Sequence, residues 1–288
     1  SFDGPFILDD INSIAENRTI ERLWPITTVL SPPANGETVG GRPFLNLSLA
    51  VNYAIHGRAV QGYHIANLAI HVAAALLLFL FLRDTFLLPG LRDRFGRAAP
   101  WLAMTIAALW TVHPLQTESV TYVIQRAESL VAVFYLLTLY CVLRGAESSR
   151  ARFWYLAAVI ACLCGMATKE VMVTAPILVL LYDRTLLAGS FGCALRKRWT
   201  LYLGLAATWG LLAWLVLASG QLGHRSDPGL LDAGAYFLSQ PGVILHYLKL
   251  SVWPNPLCMF YRWPAAEDAT RIVPGALVLI ALAAATLW

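Results

Sequence analysis

The sequence predicts an all-α polytopic membrane protein, and its composition, its long apolar segments and the distribution of its arginines all indicate this fold. The 288 residues are 58% hydrophobic and only 13% charged, whereas about a quarter of the residues in a soluble domain are charged. The apolar residues fall in long runs, which burial in lipid explains better than one large core. The net charge of +4 is small and gives no reason to expect nucleic acid binding.

Eight apolar segments are predicted to form membrane helices. They lie at about 63–82, 99–113, 118–143, 153–168, 171–187, 200–219 and 240–253, with a last one from 272. The segment 240–253 is short enough to be a surface or re-entrant helix instead. Because the last run is too short for a span and the chain begins without a signal peptide, we expect further segments at both ends.

Loop charges predict the orientation. Basic residues concentrate in the loops after the first, third and fifth apolar segments, which the positive-inside rule places in the cytoplasm. These residues are Arg83, Arg92, Arg94 and Arg97, then Arg144, Arg150 and Arg152, then Arg184, Arg196, Lys197 and Arg198. The other loops are then expected on the outer face, periplasmic or lumenal. We therefore predict an outer-face loop at 1–62, with short amphipathic helices, and a transmembrane helical bundle at 63–288.

An acidic pair, Asp9-Asp10, follows the apolar triplet Phe6-Ile7-Leu8 and is predicted to sit just above the membrane. Two adjacent carboxylates repel each other, which can raise the pKa of one and suit it to general-base catalysis. A solvated loop pair, or an N-cap for a helix from Ile11, is the alternative interpretation.

A polar stripe is predicted on the helix that begins near Thr117 and continues as Leu130–Leu143. Glu118, Thr121, Gln125 and Glu128 follow helical spacing, with Arg126 on the flank of the stripe. Ionisable groups at membrane depth usually face a water-filled cavity or one another. A structural Glu–Arg pair that joins two helices is the alternative.

Two corners add candidate residues. Lys169-Glu170 lies between two spans, where a lysine is well placed for a phosphate or, alternatively, snorkels to water. The second corner is His113-Pro114, where His113 is a candidate site residue, although the pair is equally well explained as a helix-breaking corner. The five scattered cysteines support neither a zinc site nor a disulfide framework.

Several of these stretches, in this order along the chain, resemble the GT-C membrane glycosyltransferases. The closest similarity is to the transmembrane and tetratricopeptide-repeat O-mannosyltransferases and their bacterial relatives. The matching stretches are Phe6–Asp10, Arg42-Pro43 with Leu45–Asn52, Tyr63–Asn67 with His71, His113–Glu118 through Arg126–Glu128, Lys169-Glu170, and Tyr247–Leu250 leading to Pro254–Leu257.

The resemblance implies a GT-C-like transmembrane bundle with a large first outer-face loop. It implies transfer of a sugar, mannose or another hexose, from a polyprenyl- or dolichyl-phosphate donor to a hydroxyl of a protein or glycan, with inversion. The resemblance fixes no cofactor beyond this lipid-linked donor and leaves the use of a divalent metal open, since some GT-C enzymes use one and others do not. Tetratricopeptide repeats follow the membrane part in such proteins; none is visible in this sequence.

The resemblance also implies roles for individual residues. Asp9 is the expected general base, with Asp10 beside it, and Arg126 and Lys169 are expected to hold the donor phosphate. Removing one of these cations should cost on the order of 10²–10³ in rate. The pocket residues implied are Arg42, His113, Glu118, Glu128 and Glu170, and no residue is assigned to a metal.

Two other function classes remain open from the sequence. One is a catalytically inactive membrane scaffold or accessory subunit with a glycosyltransferase-like fold, since fold does not fix chemistry. The other is a transporter, although no inverted repeat is visible. The Ala- and Arg-rich loops favour a bacterial inner membrane over the endoplasmic reticulum. Asn17-Arg18-Thr19 and Asn46-Leu47-Ser48 fit the pattern of N-glycosylation acceptors.

Overall fold

A computed structural model describes residues 2–33, 38–219, 233–258, 261, 263 and 269–287. The described residues form helices and no strands, as the sequence predicts, and the chain is an all-α polytopic membrane protein. It divides into two compact units, Ser1–Leu222 and Gly223–Trp288. The predicted sites all lie in the first unit.

In these ranges the chain forms thirteen α-helices, with short 3₁₀ and π turns between some of them. The α-helices are α1 Ile26–Val29, α2 Pro43–His56, α3 Val60–Phe86, α4 Pro89–Phe95, α5 Ala99–Thr111, α6 Thr117–Thr121, α7 Arg126–Glu147, α8 Ala151–Met166, α9 Ala175–Tyr182, α10 Phe191–Lys197, α11 Trp199–Ala218, α12 Ala233–Val252 and α13 Ala269–Leu287.

Four helical segments of the described chain are long and apolar enough to cross a membrane: Val60–Phe86, Val123–Glu147, Glu170–Ala188 and Trp199–Ala218. Shorter apolar helices occupy Ala99–Thr111, Ala151–Met166 and Ile272–Ala285. The predicted segment 240–253 overlaps α12, which ends at Val252 and belongs to neither group. Large apolar side chains stay exposed on the long helices, such as Leu217 at 70%, which fits a surface that faces lipid.

In the first unit, α7 is the central helix, because it packs against both α3 and α8. The helix α11 packs against α8. Buried residues from these helices and from α9 form one apolar core. In the second unit, α12 packs against α13, and both helices contain an internal proline, Pro241 and Pro274.

The prediction of one continuous helix from Thr117 is wrong, because the helix is interrupted at Tyr122. Tyr122 is extended (φ −90°, ψ 114°), and a 3₁₀ turn at Val123–Gln125 leads into α7. The β-branched residues around the break have low helix propensity. They are Val120, Thr121, Val123 and Ile124. The predicted polar stripe therefore does not run along one helix face.

Side chains from elsewhere satisfy the backbone groups that the break frees. The Ile124 N–H donates to Asp10 Oδ1 at 2.8 Å, and Asn67 Nδ2 donates to the Val123 carbonyl at 3.0 Å. A buried backbone group without a partner is costly. Asp10 and Asn67 therefore stabilise the break and fix the position at which α7 begins.

The segment before α3 has its own apolar core, which packs on the beginning of α7. Its buried residues include Ile14, Ile20, Leu45 and Leu49, together with Ile124 of the turn before α7. This core holds the acidic pair against the helical bundle. The assignment of residues 1–62 to the outer face stays a prediction.

Both predicted N-glycosylation acceptors are buried in this segment. Asn17 is 3% exposed and Asn46 is fully buried. Asn17 Nδ2 donates to the Ser13 carbonyl and to Asn46 Oδ1, both at 2.9 Å. Asn46 Nδ2 donates to Thr19 Oγ1 at 2.9 Å and to the Val29 carbonyl at 2.7 Å. Each amide nitrogen thus donates both of its hydrogens inside the fold.

We expect neither asparagine of the folded protein to carry a glycan after expression in a eukaryotic cell, because both amide nitrogens are buried and donate two hydrogen bonds each, so the fold leaves no room for a sugar there. Intact mass before and after endoglycosidase treatment is the measurement. As a positive control, the double substitution Glu21→Asn, Leu23→Thr creates an acceptor motif at exposed positions of the same segment. A glycan on Asn17 or Asn46 of the natural sequence would contradict this account.

Candidate active site

The candidate site lies at the end of the bundle where α3 and α7 begin and α8 ends, called here the polar end. Asp9 is partly exposed there. Its backbone N–H donates to Tyr122 Oη at 3.0 Å, and its Oδ2 accepts from Thr38 Oγ1 at 3.1 Å. Burial and nearby carboxylates raise the pKa of Tyr122 to about 12, so its hydroxyl stays neutral.

Asp10 lies in a different environment, although it is the next residue. It is 1% exposed, and both carboxylate oxygens accept backbone N–H groups, from Ile7 at 3.1 Å and from Ile124 at 2.8 Å. Burial raises the pKa of Asp10; the two hydrogen bonds oppose this effect and the Asp9 charge adds to it. Asp10 therefore positions Asp9, and its own oxygens are occupied.

Leu8 has a strained backbone immediately before the acidic pair. Its φ of +46° is left-handed, a region that costs L-residues roughly 1–2 kcal/mol. Its side chain is 63% exposed, so apolar burial contributes little to hold it there. The conformation is held by the tight turn that the Asp10 side chain closes on Ile7.

Leu8→Gly is expected to raise the free energy of unfolding by about 0.5–1 kcal/mol, because glycine adopts positive φ without strain. The matched control is Ile7→Gly, at an exposed neighbour that does not have positive φ, where the same change should lower stability by a similar amount. Unfolding of the detergent-solubilised protein is the measurement. Equal destabilisation by both substitutions would show that Leu8 is not strained.

Arg42 and Glu170 form a bidentate ion pair next to Asp9. Arg42 Nε and Nη2 donate to the two Glu170 oxygens at 3.1 and 3.0 Å, and Nη1 donates to the Thr38 carbonyl at 2.9 Å. Thr38 therefore contacts Asp9 with its hydroxyl and Arg42 with its carbonyl. Thr38 thus links the Arg42 guanidinium to the Asp9 carboxylate.

Lys169 and Glu128 form a second ion pair at the polar end, and the Lys169 ammonium donates to Glu128 Oε1. Glu118 lies close enough for the charges of Glu128 and Lys169 to shift its pKa. Desolvation raises the pKa of Glu118, the Glu128 carboxylate raises it further and Lys169 opposes the shift. Glu118 also accepts a long hydrogen bond from Gln125, at 3.5 Å.

Arg126 is buried, at 1% exposure, and forms no ion pair with any described residue. Its Nε donates to Asn67 Oδ1 at 2.6 Å and its Nη2 to Asn52 Oδ1 at 2.7 Å. The carbonyls of Ser48 and Tyr63 accept two further bonds, each at 3.2 Å. The predicted alternative of a Glu–Arg pair is wrong for Arg126. Its charge is stabilised by neutral dipoles, and four of its five N–H groups are occupied.

His113 is not joined to these ion pairs by any contact among the described residues. Its Nδ1 accepts the Leu115 N–H at 3.2 Å, so it caps the turn after α5, as the helix-breaking alternative suggested. The part of the chain that the structure describes contains no group of three His, Cys, Asp or Glu side chains that could hold a metal.

An apolar cavity of about 370 Å³ lies between α2 and α3. Its lining residues include Phe44, Val51, Ile55 and Ile65, together with Arg126. The Phe44 end adjoins the ion pairs, because the Phe44 N–H donates to the Ala167 carbonyl at 2.9 Å, two residues before Lys169. An apolar cavity thus leads to a cluster of charges.

Four residues of this region were absent from the sequence-based site. They are Thr38, Asn52, Asn67 and Tyr122. Asn67 carries a signal that could have been used, since a buried amide in an apolar span needs a partner. Thr38 and Tyr122 carry no signal, because their roles depend on contacts with distant parts of the chain.

The fold and the polar end define an integral membrane protein with a cluster of ionisable groups at one end of a helical bundle, beside lipid-facing helices. The chain is 30% identical over 196 residues to the human protein O-mannosyl-transferase TMTC4, an alignment that covers 60% of this chain and 26% of the relative. It is 31% identical over 191 residues to Tmtc2 of Drosophila melanogaster, with coverage of 62% and 19%.

These relatives confirm the predicted resemblance to the O-mannosyltransferases. A third, Tmtc1 of Drosophila melanogaster, is 30% identical over 185 residues, or 62% of this chain and 20% of the relative. The chain spans about a fifth to a quarter of the length of the curated relatives it matches. No family model matches the chain, and no solved structure matches it.

Proposed function

We propose that this chain is the catalytic membrane part of a GT-C-type glycosyltransferase that moves mannose or another hexose from a polyprenyl-phosphate donor to a protein hydroxyl. The observation that carries the proposal is the partly exposed Asp9 carboxylate, held next to the Arg42–Glu170 pair at the end of a lipid-embedded bundle. The names of the similar proteins, protein O-mannosyl-transferases, support the same reaction class.

In the proposed reaction, Asp9 takes the proton of the acceptor hydroxyl while the hydroxyl oxygen attacks C1 of the sugar. The bond between C1 and the phosphate oxygen breaks, and the polyprenyl phosphate leaves with the electron pair. Attack opposite the leaving group inverts the anomeric centre. General-base catalysis of this kind contributes about 10²–10⁴ in rate.

The leaving phosphate needs cations, and the polar end offers Arg42 and Lys169. Both form ion pairs with carboxylates that are partly exposed, so a phosphate can compete for them at modest cost. The apolar cavity between α2 and α3, which adjoins these pairs, suits the isoprenoid chain. Arg126 donates to buried neutral oxygens, which favours a role in positioning the helices around it. Its contact with the donor phosphate stays a prediction.

The active face is proposed to be periplasmic or lumenal, as the loop charges predict. The preference for a bacterial inner membrane gains no support from the comparisons, since the relatives named above are animal proteins. A lumenal site in the endoplasmic reticulum is therefore an equal part of the proposal.

The inactive scaffold is the second candidate, and one observation favours it: Arg42, Lys169 and Arg126 all have partners inside the protein. The test is sugar transfer by the purified full-length protein to a serine- and threonine-containing peptide. Polyprenyl-phosphate mannose, polyprenyl-phosphate glucose and a nucleotide sugar are compared as donors. Transfer from a lipid-linked donor alone is the expected result. A folded protein without turnover on any donor would favour the scaffold, and ion flux in proteoliposomes without transfer would favour a transporter.

A further inference from the structure

A basic cavity lies at the opposite end of the first long helix from the candidate site. It is formed by α4, the seven-residue helix that joins α3 to α5, and by residues on either side of that helix. Its volume is about 580 Å³. Its lining residues are Leu87, Arg92, Asp93, Arg94, Gly96 and Arg97. The reaction proposed above uses none of them.

The position of α4 places this cavity at the depth of lipid head groups. The 27 residues of α3 extend about 40 Å at 1.5 Å per residue, which exceeds the roughly 30 Å of hydrocarbon. A tilted contact between the Phe86 and Phe95 rings, with centroids 5.6 Å apart, holds α4 against the end of α3. Leu88 is buried at 3% exposure and anchors the connection. The helix therefore cannot extend far from the membrane surface.

The three arginines of this cavity have no carboxylate partner among the described residues. By contrast, the neighbouring Arg83 and Arg144 both pair with Asp84, at 2.7 and 3.5 Å. The cavity arginines are exposed, and Asp93 supplies the single acidic side chain of the lining. Three positive charges and one negative charge leave a net charge of +2 around the concavity.

We propose that this cavity binds the head group of an anionic phospholipid. Guanidinium groups bind phosphate oxygens through paired N–H donors, and the phosphates present at this depth are those of the bilayer. A net charge of +2 favours a lipid with net negative charge over a zwitterionic one. The exposed Leu87 and the phenylalanine pair lie beside the charges, where the start of an acyl chain would contact them.

Each basic residue near an anionic membrane surface is worth about a fivefold change in binding. The triple variant Arg92→Gln, Arg94→Gln, Arg97→Gln should therefore lower the preference for anionic lipid at least tenfold. Native mass spectrometry of the full-length protein, taken from nanodiscs that contain equal phosphatidylglycerol and phosphatidylcholine, measures this preference. A thermal unfolding scan of each variant shows that it remains folded.

The matched control is Arg150→Gln, Arg152→Gln, Arg196→Gln, which removes the same charge from exposed arginines at the start of α8 and in α10. The control should keep the wild-type preference. Equal loss in both variants would show diffuse attraction to the surface and overturn the proposal, as would no loss in the cavity variant. Displacement of the bound lipid by millimolar soluble glycerophosphate would overturn the assignment to a membrane lipid.

Discussion

Asp9→Asn is expected to lower the rate of sugar transfer by about 10²–10⁴-fold, because the amide cannot take the proton of the acceptor hydroxyl. The protein should remain as stable as wild type. The bond from the Asp9 N–H to Tyr122 does not involve the side chain, and an amide oxygen can still accept from Thr38. Turnover of the purified full-length protein with its lipid-linked donor is the measurement.

Asp10→Asn is the matched comparison, since it makes the same chemical change one residue further along. An amide has one acceptor oxygen, whereas Asp10 accepts N–H groups on both oxygens. We expect a loss of about 1–3 kcal/mol in the free energy of unfolding. A folded Asp9→Asn protein with full transfer rate would contradict the base assignment, and an Asp10→Asn protein as stable as wild type would contradict its positioning role.

Asn67→Leu is expected to lower the free energy of unfolding by about 2–4 kcal/mol, because it leaves two buried groups without partners. Asn67 accepts from Arg126 Nε at 2.6 Å and donates to the Val123 carbonyl at 3.0 Å. The substitution therefore removes a stabilising dipole from a buried cation and a partner from the broken backbone before α7. Denaturant unfolding of the detergent-solubilised protein measures the loss.

Gln61→Leu controls for the exchange of an amide for a leucine on the same helix. Gln61 is exposed and, among the described residues, its side chain donates only to Asp3, at 3.0 Å, so its loss should change stability by no more than about 0.5 kcal/mol. A similar fall in the free energy of unfolding from both substitutions would show that the contacts of Asn67 with Arg126 and Val123 do not stabilise the fold.

The helical bundle follows from the sequence because apolar runs of sufficient length have few alternatives in lipid. The predicted run 63–82 lies inside Val60–Phe86, and 200–219 nearly coincides with Trp199–Ala218. Here the apolar run in the sequence and the membrane helix in the structure depend on the same property, which is apolar surface in consecutive helical turns. The orientation from loop charges stays a prediction.

The candidate site follows from the sequence only in part, because its contacts join distant residues. Arg42 and Glu170 are 128 positions apart, and Asp10 and Ile124 are 114 apart. The stripe from Glu118 to Glu128 was predicted on one helix, since the β-branched residues around Tyr122 weaken a helix without identifying where it breaks. The break is fixed by Asp10 and Asn67, which approach from other parts of the chain.

The anomeric configuration of the product tests the central claim most directly, because it reports how the sugar is transferred at the site that contains Asp9. The measurement is NMR spectroscopy of the glycopeptide formed by the wild-type protein from a polyprenyl-phosphate sugar of known configuration. This account predicts inversion, as expected for a single displacement with Asp9 as the base. Retention would exclude a single displacement opposite the leaving group, and it would contradict the proposed mechanism even if Asp9 proved essential.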